Sequence, residues 1–373
     1  MQTSAKSDPE IAVIGGGLVG MAVAYGLQRL GARVHVYDEG DEAFRASRGN
    51  FGLIWVQGKG ATMPNYARWT RLSAREWREF GDELGEEAGL DLQRHQPGGF
   101  DFCLSENEAH ERVERLSGLR DALDGDYPFE YLDAAAVREY LPHIGPDVMG
   151  ATWCPEDGHV NPLYLLRSLH AAFLAKGGSI SRAARVERVN WRGDSFAVTD
   201  AIGRERVYGR VVLACGHGNA RLAPQVGLNA PVLPSRGQNI ITERLPFQLP
   251  YPSVQIRQVG EGSIQIGDSK EDAGFDDCTT PQVLSAMATR AARVYPFLAR
   301  ARVVRTWAAL RVMSPDGYPI YDTSQACPGA ALVTCHSGVT LAAAHARLLA
   351  PWLLGHQSPV PMETFSGERF PAA

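Results

Sequence analysis

The chain has 373 residues, of which 45% are hydrophobic and 21% are charged, and its formal net charge is −5 at pH 7. This composition is typical of a soluble globular protein, and the acidic balance argues against a nucleic-acid binder, which would carry a basic face. The length leaves room for about two domains with a cleft between them.

The cysteines and the apolar segments favour a cytoplasmic protein. The six cysteines are scattered and no CxxC pair occurs, so zinc-ligand spacing is absent and a reduced chain is expected. The N-terminus MQTSAKSDPE is too polar for a signal peptide. The longest helix-like apolar segment, LAAAHARLLAPWLLG, is interrupted by His345, Arg347 and Pro351. We therefore expect no transmembrane span and no metal site.

The first forty residues predict a βαβ unit. The apolar stretch Ile11–Ile14 predicts a short strand, which is followed by the glycine-rich turn GGGLVG. An apolar helical pattern then continues through Leu30, and RVHVYD alternates as a second strand that ends at Asp38. A glycine-rich turn between a strand and a helix is typical of the start of a dinucleotide-binding fold.

The following elements alternate between helical and extended patterns. Residues 63–141 are charged and helical in pattern, with one strand predicted in GGFDFCLS, and a further helix is expected over residues 163–176. The segments RVERVNW, SFAVTDA and RVYGRVVLACG predict β-structure, and SVQIRQVGEGSIQIGDS predicts a hairpin with its turn at residues 260–262. Near the C-terminus, AALVTCHSG predicts a strand and VTLAAAHARLLAPWLL a helix.

Strand and helix pieces of nucleotide-fold type thus occur near both ends of the chain. This distribution favours an α/β fold (α+β overall) in which a discontinuous Rossmann-like domain receives an inserted domain of mixed sheet and helices. We place the Rossmann-like domain at residues 1–62, 145–225 and 305–373. The inserted, substrate-binding domain then comprises residues 63–144 and 226–304.

The glycine-rich turn matches the dinucleotide pattern GxGxxG. Gly15 permits the tight turn, Gly17 lets the backbone approach a pyrophosphate, and Gly20 allows close packing of helix against strand. The helix N-terminus supplies N–H donors for phosphates, and Asp38 stands where a carboxylate can bind ribose hydroxyls. A glycine-rich loop that merely packs is the alternative. The predicted adenine-dinucleotide residues are Gly15, Gly16, Gly17, Leu18, Val19, Gly20, Asp38 and Glu39.

A second strand-to-helix turn lies near the C-terminus, in the segment CHSGVT. Such a turn directs the positive end of the helix at a bound group. Reduced flavin carries negative charge around N1 and O2, which this helix end would stabilise, whereas the alternative is an ordinary strand–helix turn. The candidate residues are His336, Ser337, Gly338, Val339 and Thr340.

An ordered set of motifs resembles one family along essentially the whole chain. The motifs are IAVIGGGLVGMAVAYGLQRLGARVHVYD, ASRGNFGLIW, EDGHVNP, VVLACG, SRGQ, TWAALRVMSPDGYPI and CHSGVTLAAAHA. Together they are similar to the D-amino-acid oxidase, glycine oxidase and sarcosine oxidase family of FAD-dependent oxidoreductases. The segment RASRGNFGLIWVQGKG most resembles the flavoprotein subunits of opine oxidases, hydrogen cyanide synthase and D-hydroxyproline dehydrogenase.

The resemblance implies FAD bound across the discontinuous domain. A cysteine that links the flavin covalently in sarcosine oxidase-like members is absent from the matching segment, which starts at Arg311, so noncovalent FAD is expected. Without the family resemblance, the pattern of residues 47–50 favours a polar loop that binds no ligand. The further cofactor residues that the resemblance implies are Ala46, Ser47, Arg48, Asn50, Phe51, Gly52, Leu53, Val186, Gly216, Gly237, Gln238 and Arg311.

On the substrate side, the resemblance assigns a carboxylate-binding role to Arg311. A planar guanidinium can bind a carboxylate through two hydrogen bonds and orient the α-carbon. The alternative is that Arg311 pairs with an acid distant in sequence. Gln255 aligns roughly with a family tyrosine that contacts substrate, and Arg257 is either a second anion-binding group or a solvated strand charge.

The implied reaction is oxidation of the C–N bond of a D-amino, proline-like imino or N-substituted amino acid, with hydride transfer from Cα to flavin N5 and an imine as product. D-proline, hydroxyproline and opines are the expected substrates, and oxygen or a quinone is the electron acceptor. One alternative is a flavoprotein subunit that is active only with partner subunits. Another is a flavin-containing binding protein that does not oxidise amines.

Overall fold

The computed structural model describes residues 10–40, 46–246 and 249–371. The strands are β1 Ile11–Ile14, β2 Val34–Tyr37, β3 Leu53–Ile54, β4 Gly99–Cys103, β5 Glu130–Asp133, β6 Gly150–Cys154, β7 Gly158–His159, β8 Ser179–Ser181, β9 Val186–Trp191, β10 Phe196–Asp200, β11 Glu205–Tyr208, β12 Arg210–Leu213, β13 Leu233–Arg244, β14 Ile256–Gln258, β15 Ser263–Ile266, β16 Val303–Met313, β17 Ile320–Thr323 and β18 Ala330–Thr334.

The helices are α1 Leu18–Arg29, α2 Pro64–Ala88, α3 Glu106–Asp121, α4 Ala134–Tyr140, α5 Pro162–Ala175, α6 Asn219–Leu222, α7 Pro281–Val294, α8 Ala342–Ala344 and α9 Ala350–Leu353. Within the described ranges, none of them combines the length and the apolar character needed to cross a bilayer. A wide π-helical turn, His345–Leu349, separates α8 from α9, where one continuous helix was predicted. This turn precedes Pro351, which has no N–H to continue a regular helical ladder.

A six-stranded sheet in the order β17-β18-β12-β1-β2-β8 carries the predicted βαβ unit. The strands from β18 to β8 are parallel, and β17 is an antiparallel edge strand. The prediction of a βαβ start is confirmed by β1, α1 and β2. Strands β12 and β18, distant in sequence, complete the sheet beside β1 and make this part of the fold discontinuous.

A second, four-stranded sheet has the order β14-β15-β13-β16. The predicted hairpin is confirmed by the antiparallel pair β14 and β15. Strands β13 and β16 pair antiparallel along their length, which places Ser235 opposite Arg311 and Gly237 opposite Ala309. Smaller sheets comprise β4-β6-β5, in which β5 was not predicted, β11-β10-β9 and β3-β7.

Helix α2 and strand β16 do not follow the predicted domain boundaries. The division of the chain into two domains itself stays a prediction. Helix α2 was assigned to the inserted domain, but its buried Trp69, Trp77 and Phe80 share one core with α1 and α5 beside the parallel sheet. Large apolar side chains along one face of α2 account for this packing. The predicted boundary near residue 304 also divides β16, which pairs with β13 on both sides of it.

Helix α1 approaches its neighbours so closely that only glycine fits at several positions. A Cβ atom on Gly20 would lie 1.9 Å from the carbonyl oxygen of Gly15, and a Cβ on Gly26 would lie 2.2 Å from that of Ala346. These contacts hold the start of α1 directly behind the end of β1. The backbone of the glycine-rich turn between β1 and α1 is therefore restricted to one position.

The Gly20→Ala variant is expected to lower the free energy of unfolding by about 3 kcal/mol, because the added methyl group overlaps backbone that cannot move freely. Urea denaturation of the purified protein measures this change. The control is Gly118→Ala on α3, where an added Cβ meets nothing within 4 Å. That variant is expected to be neutral or more stable by about 1 kcal/mol. Equal stabilities for the two variants would contradict the close-packing account.

A buried carboxyl group, Asp157, ties the β6–β7 turn to the segment after β3. Asp157 is fully buried, its Oδ1 accepts a hydrogen bond from the backbone N–H of Val56 (2.5 Å), and its Oδ2 accepts one from Gln57 Nε2 (2.7 Å). Burial raises the pKa of Asp157 to about 8. The carboxyl group therefore resists ionisation in the folded chain.

The stability of the native protein, relative to an Asp157→Asn variant, is expected to fall as pH rises from about 4 to about 8. In this window the unfolded chain has released the proton that the folded chain retains, so deprotonation favours unfolding by at most about 1.4 kcal/mol per pH unit. Urea midpoints measured across the range test this. The exposed Asp121→Asn is the matched control, and a pH-independent difference between native protein and Asp157→Asn would refute the prediction.

Candidate active site

A cavity of about 920 Å³ lies at the carboxyl ends of β1, β2, β12 and β18 and extends to the sheet that contains β16. In open parallel sheets, ligands bind at this edge because the strand-to-helix loops meet there. The predicted site residues that line the cavity are Gly15, Gly16, Gly17, Leu18, Val19, Asp38, Glu39, Ala46, Ser47, Arg48, Asn50, Phe51, Leu53, Val186, Gly216, Gly237, Gln255, Arg311, His336, Ser337, Gly338, Val339 and Thr340.

Four predicted site residues do not line the cavity: Gly20, Gly52, Gln238 and Arg257. Gln238 is fully buried, and its Nε2 donates to Glu271 and to Thr280 Oγ1. Arg257 is also buried, so it is not a solvated strand charge.

The Arg257 guanidinium turns towards β7 instead of the cavity. Its Nη1 lies 3.1 Å from His159 Nδ1, and its Nη2 donates to Gln265 Oε1 at 2.7 Å. Burial lowers the pKa of Arg257 to about 9, and burial together with Arg257 holds the pKa of His159 well below its usual range. These contacts indicate that Arg257 and His159 have a structural role behind the cavity wall.

The glycine-rich turn forms one end of the cavity. Gly15 has a φ of +120°, and a Cβ atom there would lie 2.3 Å from the carbonyl oxygen of Ala214. The N–H of Leu18, in the first turn of α1, donates to Ser47 Oγ at 2.9 Å. A side chain on Gly17 would meet the same Ser47 hydroxyl at 2.8 Å. The bare backbone, the hydroxyl and the helix N-terminus thus form a cradle suited to phosphate groups.

The Asp38 carboxylate stands beside this cradle at the end of β2. Its Oδ2 accepts a hydrogen bond from the N–H of Gly16 at 3.0 Å, and its Oδ1 accepts one from the N–H of Gly40 at 2.9 Å. Two backbone donors fix the orientation of the carboxylate, and its oxygens retain lone pairs for further donors. An adenine dinucleotide fits these residues, with phosphates at the α1 N-terminus and a ribose at Asp38.

The loop between β18 and α8 closes the other side of the cavity and is held firmly. Thr340 Oγ1 accepts from the N–H of Trp55 (3.2 Å) and donates to the carbonyl of Leu53 (3.0 Å). The Thr340 carbonyl accepts from Ser73 Oγ and Trp77 Nε1. These bonds attach the loop both to the segment around β3 and to α2, and so fix the wall of the site.

A lysine that sequence reasoning overlooked, Lys59, lies against this loop. Its Nζ is 3.1 Å from His336 Nε2 and donates to Ser337 Oγ at 2.9 Å. Burial lowers the pKa of Lys59 to about 8, and burial together with Lys59 holds the pKa of His336 well below its usual range. His336 is therefore neutral. In the sequence, the two glycines that flank Lys59 are the feature that could have drawn attention to this lysine. In the structure both Gly58 and Gly60 have positive φ.

Arg311 enters the cavity from β16 and has carbonyl partners there. Its Nη1 donates to the carbonyl oxygens of Ser269 (2.8 Å) and Arg236 (3.4 Å). Within the described part of the chain, no carboxylate lies within ion-pair distance of this guanidinium. Gly237, on the neighbouring strand, makes room for it, since a Cβ there would be 2.4 Å from Arg311 Nη1.

Gln255 brings an unsatisfied acceptor to the same cavity. Its Oε1 is buried and has no hydrogen-bond partner among the described residues. Buried polar atoms usually find a partner, so such an acceptor marks a place where a ligand N–H or O–H group can bind. Further charged residues that line the cavity, and that were not among the predicted site residues, are Asp101, Arg112, Arg115, Arg185, Arg221, Asp268 and Lys270.

Comparison with known proteins identifies the family. The model of a family described as FAD dependent oxidoreductase (DAO) matches residues 10–352. An opine oxidase subunit of Agrobacterium tumefaciens is 40% identical over 371 residues, covering 97% of this chain and 98% of the relative. The corresponding opine oxidase subunit of Rhizobium meliloti is also 40% identical, with the same coverage.

Among solved structures, glycine oxidase from Geobacillus kaustophilus superposes with a TM-score of 0.89 at 22% sequence identity, covering 97% of this chain and 99% of that one. This likeness confirms the predicted fold, a mixed α/β architecture with a Rossmann-like FAD-binding domain. The predicted cofactor, FAD, is confirmed by the family match. The chain belongs to the DAO family of FAD-dependent oxidoreductases.

Proposed function

We propose that this protein oxidises the C–N bond of an N-substituted or proline-like amino acid, with opines as the leading substrates. The observation that carries the proposal is the Arg311 guanidinium, which lines the cavity and has no carboxylate partner among the described residues. The names of the two 40% identical relatives, both opine oxidase subunits, support the substrate class.

Arg311 suits the carboxylate of an amino acid for a physical reason. Two carbonyl oxygens orient its Nη1, and the carboxylates of Asp268 and Glu271 act on its charge only from beyond ion-pair distance. A substrate carboxylate would supply both the missing charge and the remaining acceptors, with bidentate geometry that fixes the direction of Cα. Holding the substrate in one orientation is the main contribution that a protein makes when a cofactor performs the redox step.

The reaction requires a neutral substrate nitrogen. As the hydride leaves Cα, the nitrogen lone pair forms the C=N bond and the N–H proton is lost; water then adds to the imine, and the C–N bond breaks to give an amine and an oxo acid. When bound, FAD supplies the two-electron acceptor for the hydride. Gln255 Oε1 can accept the substrate N–H and so orient its lone pair.

The second part of the proposal is that the chain works as one subunit of a larger enzyme. The two relatives are named as subunits and match this chain almost end to end. Oxygen or a quinone would reoxidise the flavin, directly or through partner subunits. We place the enzyme in the cytoplasm, in keeping with six cysteines that form no disulfide.

Anaerobic addition of an opine or of D-proline to the purified, FAD-containing chain is expected to bleach the flavin absorbance, whereas NADH is expected to leave it unchanged. Bleaching follows because the substrate passes two electrons to the cofactor. Aerobic turnover without an added dye would then identify an oxidase. If turnover requires a dye, a quinone or co-expressed subunits, the enzyme is a dehydrogenase. If no amine in the panel bleaches the flavin, the proposed function is wrong.

An Arg311→Met variant is expected to retain FAD and to bind carboxylate substrates more weakly by at least about 2 kcal/mol, because a charge-assisted pair is lost. The concentration dependence of flavin bleaching measures this affinity. The control is Arg302→Met, at an exposed position just before β16 that does not line the cavity. Unchanged affinity in Arg311→Met would overturn the assignment of the carboxylate site.

A further inference from the structure

The substrate end of the cavity carries more cations than one carboxylate requires. It holds five cationic side chains against two carboxylates, although the chain as a whole has a net charge of −5. The charge of Asp268 acts on Lys59, on Arg311 and on Asp101, so these groups share one electrostatic environment. The cations are Lys59, Arg112, Arg115, Lys270 and Arg311, and the carboxylates are Asp101 and Asp268.

One cation of this set is already neutralised within the protein. Arg112, on α3, forms an ion pair with Asp101, on β4, and both side chains are largely buried, with 14% and 11% of their surface exposed. This pair fixes the face of α3 that looks into the cavity. Because Asp101 neutralises most of the charge of Arg112, Arg112 is a weak candidate for binding an anionic ligand. The pair instead holds α3 in place and so positions the next arginine on this helix.

That arginine, Arg115, follows Arg112 by three residues and therefore lies on the same face of α3. Arg115 is exposed at the cavity mouth and makes no hydrogen bond or ion pair among the described residues. Its guanidinium lies against the loop that holds Lys59, since a Cβ on Gly58 would be 3.4 Å from Arg115 Nη2. Lys270, a second exposed cation of the lining, is likewise without such a contact in the described ranges.

We propose that Arg115 binds the second carboxylate of an opine, the one on the far side of the amine from Arg311, and so selects dicarboxylate over monocarboxylate amines. This inference rests on the proposed function for the first carboxylate, at Arg311. An N-(1-carboxyalkyl) amino acid has one carboxylate on each side of a secondary amine. Arg311 and Arg115 bind the two carboxylates, and Gln255 accepts from the amine between them.

The arrangement favours a dianion over proline-like substrates, which have one carboxylate. A monocarboxylate at Arg311 leaves Arg115 and Lys270 without an ion-pair partner among the described residues, whereas a dicarboxylate pairs with both regions of positive charge. Charge-assisted guanidinium–carboxylate bonds are among the strongest available for such recognition. Because Arg115 is exposed, its contribution decreases with ionic strength.

Equilibrium binding of two unreactive probes tests the inference without turnover. Glutarate carries a methylene group where an opine carries its amine, and butyrate lacks the second carboxylate. Perturbation of the flavin spectrum in the FAD-containing protein gives the Kd of each. Glutarate is expected to bind about tenfold more tightly than butyrate, and Arg115→Gln is expected to abolish most of that preference while leaving butyrate unchanged.

The matched control is Arg78→Gln, an exposed arginine on α2 that does not line the cavity and is expected to leave both affinities unchanged. Lys270→Gln shows whether the second rim cation shares the role. Equal binding of glutarate and butyrate by the native protein, or an equal loss of both in Arg115→Gln, would overturn the inference.

A substrate pair then separates this inference from the proposed function. N-(1-carboxyethyl)alanine and N-ethylalanine differ only in the second carboxylate, and flavin bleaching gives the affinity of each. A selective loss for the dicarboxylate in Arg115→Gln is expected. If glutarate binds through Arg115 but no amine bleaches the flavin, the proposed function fails while the second carboxylate site stands. If both amines bleach the flavin equally well in native protein and variant, the second site fails alone.

Discussion

The site depends on a guanidinium that is held in place by neutral groups. Arg311 is oriented by two backbone carbonyls, which satisfy donors on one side of the group without cancelling its charge. A desolvated cation of this kind retains a strong preference for an anion. The antiparallel pairing of β13 and β16 makes the arrangement possible, because Gly237 presents no side chain where the guanidinium crosses the ladder.

The cofactor wall and the substrate wall are parts of one packed unit. A Cβ on Gly49, in the loop that follows Ser47, would lie 2.3 Å from Ala309 Cβ, two residues before Arg311. Trp307, on the same strand, donates from Nε1 to the carbonyl of Gly49 at 3.2 Å. Since Ser47 also accepts from the first turn of α1, the contacts run from the predicted phosphate cradle to the strand that carries Arg311. A displacement of the loop would therefore move both parts of the site.

The parts of the fold that could be predicted from sequence are those set by local pattern. Short apolar strands beside glycine-rich turns identify β1, α1 and β2, and alternation identifies the β14–β15 hairpin. The place of Arg311 in the site could be predicted from the resemblance to a family and from its position in an apolar strand. By contrast, Asp101 and Arg115 lie in segments whose charge pattern is that of solvated helix and strand surface. Their place in the cavity arises only when α3 packs over the loop that contains Gly58.

Charge is unevenly distributed along the cavity, and this has a chemical consequence under the proposed function. At the substrate end, Lys59, Arg112, Arg115, Lys270 and Arg311 outnumber the carboxylates Asp101 and Asp268. Cations near a bound amino acid attract its carboxylates and disfavour its ammonium form, because like charges in a weakly screened site repel. The same surplus of positive charge therefore serves two requirements that conflict in water: it binds an anion and keeps the nitrogen between the carboxylates neutral. His336 is neutral and adds no charge of its own, since burial and Lys59 both hold its pKa well below the usual range.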